Sequence, residues 1–173
     1  MNNNIVNIHV SQIDFKNCKS IMLDTCSVIQ LAADNQASLL FAQKAAESQI
    51  TLCYSLKTLE ELHILSESQN IPKEKWKARN NMGFLINKSQ EQVDRIMNKI
   101  HKIPNMFNEP IGTFDYEVYK DARENEREFK LRWGDAVIYT MAKKNEIDGI
   151  MTFDGDYSTV ARDLTIFKGN KKV

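Results

Sequence analysis

The chain has 173 residues, 42% of them hydrophobic, and its 23 Lys and Arg balance 23 Asp and Glu. That length supports one domain over 1–173 with a real core, and the charge balance excludes a globally basic nucleic-acid binder while leaving room for a local patch. No run reaches the roughly 18 apolar residues of a membrane span, so no membrane role is expected. Cys18, Cys26 and Cys53 form no CxxC pair. An odd, unpaired set argues against a disulfide framework or thiolate zinc, and with no basic-then-apolar leader at the N-terminus it predicts a cytoplasmic protein with reduced thiols.

KSIMLD (19–24) is a short apolar run ending in Asp, which predicts a buried strand with Asp24 at its carboxyl-side edge. TCSVIQLAA turns helical, and a second helix runs from Asn35, a cap, to Glu47. QITLCYS (49–55) predicts another strand. LKTLEELHILSES follows as a helix with leucines at 56, 59, 62 and 65, and with Glu60 and Glu61 in its second turn. A helical insertion is expected around 66–112. It holds PKEKWKARNNMGFLIN, opened by Pro72, and SQEQVDRIMNKIHK, with Ser89 and Gln92 in capping-box positions.

Pro104, Pro110 and Gly112 predict a loop over 103–114. FDYEVYKDARENEREFK reads as an exposed amphipathic helix and WGDAVIYTMAKKN as a more buried one. IDGIMTF (147–153) predicts a strand, DYSTVARD a short helix or turn, and LTIFKG a last strand. Strands alternating with helices predict an α/β fold, a mostly parallel sheet flanked by helices in three layers.

In open α/β sheets, ligands gather beyond the carboxyl ends of the strands. Asp24 and Asp154 end strands there, Glu61 lies in the helix after the second strand, and Asp135 opens a buried helix. Four carboxylates in one cleft repel one another, and within these motifs only Arg132 offers a neutralising charge. A hard divalent cation, Mg²⁺ or Mn²⁺, suits such an oxygen-rich set better than zinc.

The segments IMLDTCSVIQL, TLEEL and RWGDAVIYTMAKKNEIDGIMTFDGDY resemble the PIN-domain family of metal-dependent ribonucleases, in matching order over nearly the whole chain. The resemblance implies a PIN-like fold and Mg²⁺- or Mn²⁺-dependent endoribonuclease activity. Its catalytic acids fall on Asp24, Glu61, Asp135 and Asp154, and its metal ligands on Asp24, Asp135 and Asp154, with Asp156 auxiliary. Many members are toxins of type II toxin-antitoxin pairs, which implies an RNA substrate, an antitoxin partner and a homodimer. The chain departs from the small toxins in its extra length over 66–112.

Each residue also has a plainer reading. Asp24 suits a helix cap, Asp135 a helix-dipole partner, Asp154 and Asp156 a surface turn, and Glu60 competes with Glu61 for the second acidic position. Thr25 and Thr152 either satisfy backbone or bond an acid. Lys73, Lys75, Lys77, Arg79, Lys88, Arg95, Lys99 and Lys102 form either a nucleic-acid footprint or a solvated face, and Trp76 either stacks on a base or anchors a core. Arg132 suits a phosphate or a nearby Glu. His9, His63 and His101 match no metal spacing. A haloacid-dehalogenase-type phosphotransferase would need a second Asp where Cys26 stands, and a silent RNA- or protein-binding module would not need every acid.

Overall fold

A computed structural model describes residues 4–9, 12–67, 85, 88–106 and 110–170. The expected helix opened by Pro72, the cations Lys73, Lys75, Lys77 and Arg79, and Trp76 lie outside the described residues.

Five strands, β1 (Ile5–Asn7), β2 (Ser20–Leu23), β3 (Thr51–Tyr54), β4 (Gly149–Thr152) and β5 (Thr165–Lys168), form one sheet in the order β1-β5-β4-β2-β3. Every pairing is parallel. Six helices are described: α1 (Thr25–Ala32), α2 (Gln36–Glu47), α3 (Leu56–Glu67), α4 (Gln90–Met106), α5 (Tyr116–Phe129) and α6 (Trp133–Lys144), with a 3-10 turn at Asp156–Val160.

The side-chain period of two sorts each strand between two cores. Ile21, Leu23, Met151 and Phe167 point to the face covered by buried residues of α1, α2, α3 and α4. Met22, Cys53, Ile150 and Ile166 point to the other, covered by α5, α6 and the 3-10 turn. Both faces of β2 and β4 are therefore buried, as parallel strands require. From β2 the chain moves outward to β3, whereas from β4 it moves to β5 on the other side. The gap between the carboxyl ends of β2 and β4 is thus the place where crossovers diverge.

Two elements differ from expectation, and the expected helical insertion proves integral to the core. β1 pairs with β5 as an edge strand, although three residues carry too little pattern to read. The loop expected over 103–114 begins later, because α4 continues through Pro104 to Met106; a proline in the last turn removes a single helical hydrogen bond. The insertion is also part of the fold, since Val93, Ile96, Met97 and Ile100 of α4 recur at helical spacing and are buried in the α1–α3 core. Its start is the expected capping box, with Gln92 N–H donating to Ser89 Oγ (3.2 Å) and Ser89 N–H to Gln92 Oε1 (3.0 Å). On its outer face Arg95 (2.5 Å) and Lys99 both pair with Asp34, so these two cations serve an internal contact. Among the described residues, no helix is long and apolar enough to cross a membrane.

Candidate active site

Asp24 leaves β2 in extended conformation and becomes the N-cap of α1, its carboxylate accepting from Ser27 N–H at 2.7 Å. The capping and ligand readings are thus compatible, because one carboxylate has room for several donors. Thr152, the last residue of β4, donates its hydroxyl to Asp24 Oδ2 at 2.5 Å, and Cys26 Sγ lies 3.1 Å from both Asp24 oxygens. Burial pushes the Asp24 carboxyl above its ordinary range, with Thr152, Cys26 and Ser27 pulling back.

Glu60 and Glu61 part company in space. Glu60 is 59% exposed and bonds Lys57 at 3.0 Å; Glu61 is 24% exposed and accepts from the Thr25 hydroxyl at 2.6 Å. Burial raises the Glu61 carboxyl, opposed by Thr25 and Lys57 and reinforced by the charges of Asp24 and Glu60. Glu61 also reaches the first turn of α6, where a Cβ on Gly134 would meet Glu61 Oε1 at 2.3 Å. Only glycine lets that carboxylate approach so closely.

One residue on, Asp135 sits in the first turn of α6. Burial, then the negative charges of Asp24, Asp154, Glu61 and Asp156, push its carboxyl up to about 7. Those four acids are therefore close enough to Asp135 to be felt by it, although they come from three separate parts of the chain. Asp154 follows β4, its N–H donating to Thr152 Oγ1 at 2.9 Å. Asp156 N–H donates to Asp154 Oδ1 at 3.3 Å, and the Asp156 carboxylate pairs with Arg132 at 3.3 Å. Arg132 thus meets an aspartate rather than the expected glutamate.

Sequence reasoning passed over three participants. Lys57 stands four residues before Glu61, the ion-pair spacing on a helix, and lies 4.0 Å from it. Gly134 was legible as a glycine in a helix's first turn, where propensity disfavours it. Tyr157 is fully buried and its hydroxyl has no hydrogen-bond partner among the described residues. Burial, then the charges of Asp135, Asp24, Cys26 and Glu61, push that hydroxyl well above the usual phenol range, which places it against the acids.

The donors available to a cation are carboxylates and hydroxyls, oxygen ligands suited to Mg²⁺ or Mn²⁺. Among the described residues, no three His, Cys, Asp or Glu are already drawn together closely enough to hold an ion between them. The mutual repulsion at Asp135 and the unpartnered hydroxyl of Tyr157 are both demands that a hydrated cation meets.

A family model described as PIN domain matches residues 21–163. The chain belongs to the PIN domain family. Solved structures agree on the fold of this PIN chain. It is similar to VapBC2 from Rickettsia felis bound to a DNA fragment from their promoter, with 14% identity, a TM-score of 0.57 and coverage of 86% of this chain and 98% of that one. It is also similar to FitAcB from Neisseria gonorrhoeae, with 17% identity, a TM-score of 0.51 and coverage of 85% and 96%. A toxin-antitoxin complex from Klebsiella pneumoniae matches with 16% identity, a TM-score of 0.51 and coverage of 79% and 89%. No curated protein matches the chain.

Proposed function

We propose that this PIN-family chain is an endoribonuclease that hydrolyses RNA phosphodiester bonds with Mg²⁺ or Mn²⁺. The observation that carries the reading is Asp135, a carboxyl raised to about 7 by burial and by four other acids at the sheet's switch point. Structural ion pairs do not look like this, because they place opposite charges together. Asp24, Asp135 and Asp154 would hold the ion, with Asp156 beside them. Bound there, a hard divalent ion supplies charge neutralisation, Lewis acidity and a more acidic water.

The chain's own residues supply order. Thr152 and Ser27 N–H fix the Asp24 carboxylate, Thr25 fixes Glu61 and Gly134 lets it close on α6. Lys57 offsets part of the negative charge at Glu61, so that the site is not purely repulsive without a cation. Arg132, half of an exposed pair with Asp156, stands where an approaching phosphate could exchange partners with it.

The solved relatives include toxin-antitoxin complexes. On that likeness we also infer a toxin role with an antitoxin protein as partner; the family resemblance of the sequence adds a homodimer, and its unpaired cysteines add action in the cytoplasm.

The test is cleavage of single-stranded RNA by the purified chain with Mg²⁺ or Mn²⁺. Chelation by EDTA and the change Asp24→Asn should each reduce the rate at least about a hundredfold, on the order of the 2.7 kcal/mol that one lost charge-stabilising contact costs. Undiminished cleavage in both would end the proposal, and binding without cleavage would leave a silent module.

A further inference from the structure

Three of the exposed large hydrophobic side chains, Phe114, Tyr116 and Tyr119, stand together, at 50%, 73% and 44% exposure. All are aromatic; Phe114 and Tyr119 contact Trp133, and Tyr116 contacts Tyr119. Phe114 meets the Trp133 ring edge-on, with centroids 6.3 Å apart at 87°, and Tyr119 meets it at 5.4 Å and 62°. Tyr116 lies nearly parallel to Tyr119, at 6.4 Å and 21°. The guanidinium of Arg123 sits 6.0 Å from the Trp133 centroid.

The place of this cluster gives it meaning. Trp133 opens α6, Gly134 follows and packs against Glu61, and Asp135 comes next. Arg132, the residue before Trp133, reaches the Asp156 carboxylate at 3.3 Å, so the rings stand at the end of α6 that borders the acids. We propose that Phe114, Tyr116, Tyr119 and Trp133 form a platform on which an unpaired base of single-stranded RNA stacks while its phosphate lies in the cleft. This rests on RNA as the substrate of the cleft.

Two observations favour a base over other occupants. Lys120 and Arg123 beside the rings are held by Glu117 and Glu126, so the patch offers aromatic faces rather than free cations for a phosphate chain. Exposed Arg132, adjacent to Trp133, carries positive charge on the side toward the cleft, where the backbone would run. Stacking needs only a π face, and it tolerates any base.

The experiment measures fluorescence anisotropy of a labelled single-stranded RNA in EDTA, beside the same strand made abasic at several positions. The wild-type chain should prefer the base-bearing strand about tenfold, the Tyr116→Ala, Tyr119→Ala pair should lose that preference, and the Tyr116→Phe, Tyr119→Phe pair should keep it. Equal affinity of the wild type for both strands overturns the platform, as does an alanine pair that retains the preference. A change of oligomeric state in the alanine pair by light scattering would assign the rings to a second copy instead. Absence of RNA cleavage by the wild type with Mg²⁺ would sink the nuclease reading separately, since base preference is read without turnover.

Discussion

Two aspartates at opposite ends of the same strand pair meet opposite fates. Asp148 precedes β4 at the amino-end rim, where Lys19 N–H (2.8 Å), Ser20 N–H (3.0 Å) and the Ser20 hydroxyl (3.1 Å) all donate to its carboxylate. Slight burial raises its pKa, but those donors outweigh it and leave the carboxyl below its ordinary value. Asp135 at the carboxyl end has burial and like charges instead, and is driven up to about 7. A charge answered by donors ties the fold together; one answered only by its own kind calls for something from outside.

The largest effect should come from exchanging charge for neutrality at each end. Asp135→Asn should reduce metal-dependent RNA cleavage at least about a hundredfold. Asp148→Ala should leave cleavage within a fewfold of the wild type and lower stability by about 1 kcal/mol, or about 2–4 °C in melting temperature. Equal losses of activity in the two variants would erase the contrast.

Titration sharpens the same comparison. Because the folded pKa of Asp135 lies above the unfolded value, the folded state binds more protons between about pH 4 and 7, so stability falls as pH rises through that window. Urea unfolding of the metal-free chain should show this acid's contribution as a loss on the order of a few kcal/mol between pH 5 and 8, reduced in Asp135→Asn. Mg²⁺ should restore stability at pH 8 more than at pH 5. Asp148 has the opposite sign: its contribution is present above the ordinary carboxylate range and is lost as pH falls through its lowered value. A wild-type curve that rises toward pH 8 in parallel with that of Asp135→Asn would contradict the assignment.

A smaller effect separates activity from stability. Gly134→Ala puts a Cβ onto Glu61 Oε1, the mobile end of a side chain, so the carboxylate moves rather than the backbone. Cleavage should fall about tenfold, a misplacement cost below that of losing the charge altogether. Melting should change little or rise, since alanine favours a helix over glycine by up to about 1 kcal/mol. Unaltered kinetics would show that the approach of Glu61 to α6 is incidental.

Much of this was legible in the chain. The runs IMLD and GIMTFD announce strands β2 and β4 because both faces are apolar and each is followed by an acid. The capping box of α4 was readable because it is a local exchange of two hydrogen bonds. β1 was not, since a three-residue edge strand is specified by its partner β5 rather than by its own pattern. Nor could composition separate Glu60 from Glu61, neighbours on one helix beside the same leucines. Thr25 and Gly134, distant in sequence, make that distinction.

The sequence by itself determined the alternation of strands and helices, the buried stripes and the acids at element ends, because these follow from local periodicity and short-range hydrogen bonding. Only the tertiary structure decided that β4 lies beside β2, which carries Thr152 onto Asp24 across 128 positions of chain, and that α6 turns Asp135 toward both. Repulsion between charges depends on distance and on exclusion of water, and neither exists until parts far apart in the chain have packed.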